Sequence, residues 1–208
     1  MAVVILLVVA QLVLPGIAEK QLRDRLGRSG TVESVQISAF PAIELLWNHA
    51  DRVVVRMRNY HSGTAHLGSL LSEAGGVDAV DATAGTLTAG LLTVRDAVLQ
   101  KRGDGVTATA EVTESDLRAA IPVLQSVVPV ASGGGELTLR GTATLFGVTA
   151  TVDATARAQN GQILVTPDVP FGGFATITVF ANPAVEVQGI AAIPTVDGFR
   201  ATATGRIR

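Results

Sequence analysis

Residues 136–161 read ELTLRGTATLFGVTATVDATARAQNG. Leu137, Leu139, Gly141, Ala143 and Leu145 share one parity and Thr138, Arg140, Thr142 and Thr144 the other, which is the period of a half-buried strand. After Phe146 the parity flips, so that Val148, Ala150, Val152, Ala154 and Ala156 carry the apolar side and Thr149, Thr151, Asp153, Thr155 and Arg157 the polar one. A hairpin turning at Phe146-Gly147 keeps both apolar sets on one face. That face is made of aliphatic and very small side chains. Small side chains fill a core poorly unless something else comes in to meet them, and what meets these is the question the sequence poses.

The rest of the chain repeats the theme. TVESVQISAF (31–40) and DRVVVRMRNY (51–60) alternate as strands, the second with Val53, Val55 and Met57 opposed to a basic side carrying Arg56 and Arg58. Residues 77–113 read as two or three strands, with a turn at Gly103-Asp104-Gly105. Asn160-Gly161 signals a type I′ hairpin turn before QILVTPDV, and the final FRATATGRIR alternates again. Three stretches read as helical: AIELLWNH as a brief turn, HLGSLLSEAGG, and TESDLRAAIPVLQSVV. In the last, Thr113 with Asp116 forms an N-cap pattern, Leu117, Ala120, Ile121, Leu124, Val127 and Val128 form a stripe, and Pro122 is expected to kink it. Ser132-Gly133-Gly134-Gly135 reads as a loop hinge. Roughly eight strands and two or three helices give one α+β domain over residues 17–208.

Composition limits the function classes. The 208 residues are 48% hydrophobic and only 16% charged, and mean hydropathy is +0.41, so much apolar surface must be hidden. Aromatics are 4%, which leaves the interior to Val, Leu, Ile and Ala and favours sheet. A net charge of -2 gives no electrostatic footprint for nucleic acid. No cysteine is present, which excludes disulfides and thiolate chemistry.

MAVVILLVVAQLVLPGIA is apolar apart from Gln11. At about 16 apolar residues it is short of the roughly 20 of a full span, and residues 1–16 read as a signal core or membrane anchor, with Gly16 and Ala18 at the spacing of a cleavage site. A buried core helix is the alternative. No Lys or Arg precedes the segment, whereas Lys20, Arg23, Arg25 and Arg28 follow it, so a basic leader before the given start is the expectation. IAEKQLRDRL continues as a short amphipathic helix. Its Lys20 and Arg23 are placed to meet anionic headgroups at a membrane surface, or to form an ordinary solvated face. Phe40 and Trp47 read either as an interfacial anchor or as packing beneath a sheet edge.

No catalytic constellation stands out. His49, His61 and His66, with Asp51 nearby, lack metal-ligand spacing on a single element. There is no G-x-S-x-G elbow, Gly133–Gly135 lead into a strand rather than a helix, and carboxylates such as Asp78, Asp81, Glu114 and Asp116 fall at turns and helix starts. The chain is read as a non-enzyme with no cofactor and no metal.

The order of pieces carries a resemblance. The apolar N-terminal segment and amphipathic helix, the strand ending in Phe40-Pro41, the strand from Asp51 to Tyr60 and the step GVTATAEVTESDL come first. The strand G-x-L-T-L-x-G, Asn160-Gly161-Gln162-Ile163-Leu164-Val165 and the ending VEVQGIAAIPTVDGFRATATGRIR complete it. Together they resemble the LmeA-like family of actinobacterial cell-envelope phospholipid-binding proteins over nearly the whole chain. The resemblance implies a curved antiparallel sheet wrapping two or three helices in the manner of tubular lipid-binding (TULIP-like) domains. It implies an exported or membrane-anchored protein of the extracytoplasmic envelope with phospholipid or a mannolipid-related envelope lipid as partner, and it brings no catalytic motif. Acyl chains would then occupy the space between sheet and helix, lined by Leu117, Ile121, Leu124, Leu137, Leu139, Val148 and Val152, with Lys20, Arg23, Arg56, Arg58 and Arg140 as headgroup or surface contacts chosen by charge. The competing reading is a structural or interaction β-domain of the envelope with a dry core.

Overall fold

The computed structural model describes residues 2–40, 42, 45, 49–62, 74–89, 92–120, 124–145, 148–169, 176–181 and 183–207. Helix α1 spans Ala2–Leu26 and continues through Pro15. Strands β1 (Gly30–Ser38), β2 (Ala50–Ser62), β3 (Val77–Ala89), β4 (Leu92–Arg102) and β5 (Gly105–Thr113) follow, then helix α2 (Glu114–Ala120). β6 (Leu124–Gly133), β7 (Glu136–Leu145), β8 (Val148–Gln159), β9 (Gln162–Pro167), β10 (Ile177–Phe180), β11 (Val185–Thr195) and β12 (Gly198–Ile207) complete the described chain.

The strands form two sheets where the sequence suggested one. A seven-stranded sheet has the order β1-β2-β3-β4-β5-β12-β11, and a five-stranded sheet the order β10-β9-β8-β7-β6. All neighbours are antiparallel except β2 and β3, which run parallel from Ala50↔Val77 to Ser62↔Ala89. A parallel pair needs a crossover of a dozen or more residues, and the chain between Ser62 and Val77 provides it. Of the HLGSLLSEAGG stretch only Ala74–Gly76 is described, as a 3-10 turn, and the AIELLWNH reading falls mostly outside the described residues.

The quoted hairpin forms in the register its parity dictates. Leu137, Leu139, Gly141, Ala143 and Leu145 pair with Ala156, Ala154, Val152, Ala150 and Val148, while Arg140 faces Asp153 and threonine faces threonine on the other side. Thr142 with Thr151 and Thr144 with Thr149 join hydroxyls at 3.1 and 2.7 Å. The turn after β8 has positive φ at both Asn160 (53°) and Gly161 (76°), as a type I′ turn requires. Gly134 and Gly135, also at positive φ, make the tight β6–β7 turn rather than a hinge.

The second helix is shorter than its stripe suggested. Its start is as read: the Asp116 amide donates to Thr113 Oγ1 at 3.2 Å. It ends at Ala120, and Leu124, Val127 and Val128, assigned to the helical stripe, belong to β6. The residue before a proline is pushed out of the helical region, and the β-branched run VVPV favours a strand. Pro129 is tolerated because β6 is the edge of its sheet.

Both edges of the seven-stranded sheet are covered. On β1 the Ile37 amide donates to Glu19 Oε1 of α1 at 2.9 Å. On β11 the amides of Val187, Ile190 and Ala192 donate to Gly161 O, Gly135 O and Ser132 Oγ of the five-stranded sheet. These bonds occupy donors that would otherwise invite strand addition. They also leave the helices flanking the sheet: α1 lies against β1, and α2 against β4, β5 and β6.

Candidate functional site

The register lines up three rows across the inner face of the seven-stranded sheet. The first is Ile37, Val53, Val80, Lys101, Val106, Gly205 and Val187. The second is Val35, Val55, Ala82, Leu99, Ala108, Ala203 and Ile190. The third is Val32, Met57, Ala84, Ala97, Ala110, Ala201 and Ala192, with Ala97 on the bulge of β4 where Asp96 takes φ 46°. One side of this face is a core of Leu26, Ala50, Val53, Val55, Met57, Tyr60 and Val80. The other is a core of Val112, Val127, Leu137, Ala156, Ala192 and Phe199 shared with the five-stranded sheet. Between them Ala97, Ala108, Ala110 and Ala203 are half-buried and belong to neither. A sheet interior of alanines offers little of its own to fill the space above it.

The opposite face is polar and several of its charges are paired. Asp81 accepts from Arg52 Nη2 at 2.5 Å and Arg102 Nη2 at 2.6 Å, Asp116 from Arg95 Nε at 2.8 Å, and Arg200 pairs with Glu111. The Arg102 guanidinium, then Arg52, holds Asp81 below the usual carboxylate range, and Arg95 with the Thr113 hydroxyl does the same for Asp116. A carboxyl whose folded value is depressed stabilises the fold above its unfolded value and loses that contribution as pH falls through the folded one. Asp81→Asn is therefore expected to lower stability near neutral pH by about 1 kcal/mol or less, since both arginines are half exposed. The gap to wild type should close in acid, and urea titrations at several pH values check this.

The residues singled out from the sequence fall in different places. Leu137 is fully buried at 2% exposure, and Leu117, Leu124 and Leu139 pack half-buried against the same core, so at the hairpin base protein atoms complete the packing. The face opens toward the hairpin tip, where Val152 and Ala143 are half-buried and Ala150 is exposed. Val148 lies in β8 with its side chain outside the described residues, as does Ile121 altogether. Lys20 and Arg23 are exposed on α1, and Arg56 and Arg58 on the polar face of β2, Arg58 beside Glu33 at 3.3 Å. Arg140 grips Asp153 with two hydrogen bonds of 2.7 and 2.9 Å.

Two polar groups on the inner face escaped the sequence reading. The Tyr60 hydroxyl is buried with no hydrogen-bond partner among the described residues, and Lys101, 2% exposed, is the one buried charged residue described. Lys101 shares the parity of Ala97 and Leu99 in DAVLQKR, a lysine where the alternation calls for an apolar residue. The alanine rows also had a visible signal, the Ala-Thr alternation of VDATAG, VTATAE and RATATG.

Other arrangements are slight. Open depressions of about 340 Å³ beside Glu33, Met57, Arg58 and Asp96, and about 780 Å³ among Arg95, Glu111, Glu114 and Asp197, are both rimmed by charge. Among the described residues no three His, Asp or Glu side chains gather as metal ligands; His49 and His61 are exposed and His66 lies outside the set. Phe40 is 79% exposed, beside Ala39 and Ala42, which Gln11 of α1 holds through bonds to Ala39 O and from Ala42 N. Trp47 is outside the described residues. No helix is long and apolar enough to cross a membrane among the described side chains, a set that does not include Ala2–Ala10.

The family model described as LmeA-like phospholipid-binding matches residues 7–204. The chain belongs to that family. The match covers most of both sheets and both helices and every residue of the inner rows except Gly205, so the alanine tract is part of the LmeA-like domain and not an addition to it. No curated protein and no solved structure matches the chain.

Proposed function

We propose that this LmeA-like protein binds phospholipid by laying acyl chains along the alanine rows of the seven-stranded sheet, in the manner of a tubular lipid-binding domain. The observation that carries the reading is the half-buried set Ala97, Ala108, Ala110 and Ala203 between two packed cores, in a chain of a phospholipid-binding family. Each methylene removed from water contributes about 0.8 kcal/mol, so a few carbons outweigh one headgroup hydrogen bond. The role is binding rather than catalysis. The apolar stretch from Ala2 to Leu14 suits anchoring on the extracytoplasmic side of the envelope, where such a binder could carry lipid or supply envelope glycolipid (mannan) synthesis.

The full chain purified from a bacterial membrane fraction is expected to show phospholipid masses bound in native mass spectrometry. A second reading, a β-domain that scaffolds envelope partners, is favoured by the dry packing around Leu137. It expects a protein of bare mass in the same experiment, and that result would overturn the lipid reading.

A further inference from the structure

Lys101 sits in the first inner row between Val80 and Val106, both buried, so its side chain leaves the sheet on the apolar side. Its Nζ donates to the carbonyl oxygen of Val77, and no carboxylate among the described residues pairs with it. An ammonium has three donors and no acceptor, and a charge withdrawn from water is costly unless an opposite charge meets it. The arginines offer a contrast, since Arg52, Arg58, Arg95, Arg102 and Arg140 each meet an Asp or Glu on the outer faces. Among the described residues Lys101 alone combines burial, hydrocarbon neighbours and an unmatched charge.

Its position along the strands adds to this. Leu99, the next inward residue of β4, pairs with Ala108, so the half-buried alanines begin one row away. Val77 pairs with Ala50, the neighbour of Asp51, whose carboxylate accepts the Phe40 amide at 2.8 Å. Gln11 binds the same Ala39–Ala42 stretch, and α1 runs from there to Leu26 at the other end of β1. Lys101 therefore marks the end of the face from which the apolar beginning of α1 extends.

We propose that Lys101 binds the anionic group of an acyl lipid, a phosphodiester or a fatty-acid carboxylate, while the tail runs from it along the alanine rows. This rests on the lipid-binding reading above and specifies which end of the ligand lies where. The anion completes the donors of Lys101 and supplies the charge the protein withholds.

Wild type, Lys101→Met and Lys101→Arg, each as the full chain, are to be titrated with fluorescent phosphatidylglycerol, palmitate, diacylglycerol and inorganic phosphate. Lys101→Met is expected to lose roughly tenfold or more in affinity for an anionic lipid, the equivalent of one charged contact. It should bind uncharged diacylglycerol as wild type does, which also reports an intact fold, and Lys101→Arg should restore much of the loss. Phosphatidylglycerol or palmitate, whichever loses binding, identifies the anion; inorganic phosphate should not compete, because it brings no tail. If Lys101→Met holds both anionic lipids at wild-type affinity, the assignment fails and lipid binding stands. If wild type binds none of the lipids, both fall.

Discussion

Ala110→Glu is expected to strip the protein of bound phospholipid while leaving it folded. Ala110 is half-buried in the third inner row, paired with Ala201 and two rows from Lys101. In the lipid-free protein a glutamate there still reaches water and should cost little. Acyl chains laid over the face would desolvate its carboxylate, a penalty of several kcal/mol per unpaired ion. Affinity should drop by about a hundredfold or more, at about 1.4 kcal/mol per factor of ten. Thr107→Glu serves as the control, since Thr107 is exposed on the polar side of the same strand, and it should bind lipid normally. Native mass spectrometry with a thermal melt reads both properties, and an Ala110→Glu protein carrying its full lipid load would show that the chains lie elsewhere.

Gly198→Ala is expected to be strongly destabilising. Gly198 opens β12 and pairs with Thr195 on one side and Thr113 on the other, at φ 156°. A Cβ there would stand 2.1 Å from the Val112 carbonyl oxygen and 2.9 Å from the Thr113 Cα. Both are backbone atoms and cannot rotate aside, so β12 must separate from β5 beside buried Val112 and Phe199. The cost should reach about 3 kcal/mol or more. For a chain of this length that lowers the melting temperature by about 6–12 °C. Gly75→Ala, with no heavy atom within 4 Å of the added carbon, should be neutral in the same measurement.

The two variants separate what holds the fold from what the fold offers. Gly198 keeps two central strands in register at the packed end of the sheet. Ala110, half-buried and part of neither core, contributes little to packing. The same distinction runs through the five-stranded sheet, where Leu137 is sealed in the core and Ala150, near the hairpin tip, is exposed.

Local order was legible in the sequence. The parity flip at Phe146 set the pairing of β7 with β8 down to the threonine ladder, Asn160-Gly161 set the next turn, and Thr113 with Asp116 set the start of α2. The alternation in DRVVVRMRNY set which side of β2 is buried, and Val53, Val55 and Met57 are buried. Each rests on short-range geometry, a period of two or a cap within one turn, which neighbouring residues determine by themselves. Leu124–Val128 marks the limit of such reasoning, because its apolar spacing fits a helix stripe and a strand equally, and pairing with β7 decided between them.

Tertiary structure alone decided the partners. Periodicity says that one side of a strand is apolar but not which strand lies beside it, so the parallel β2–β3 pair, the joining of β5 to β12 and the division into two sheets left no local trace. The inner face exists only once β1, β2, β3, β4, β5, β12 and β11 are set side by side, and only then do alanines far apart in sequence become one tract. Lys101 shows the same dependence. In sequence it is one lysine beside an arginine, and its burial, its lack of an acid and its place at the end of that tract follow from strands that meet it across the sheet.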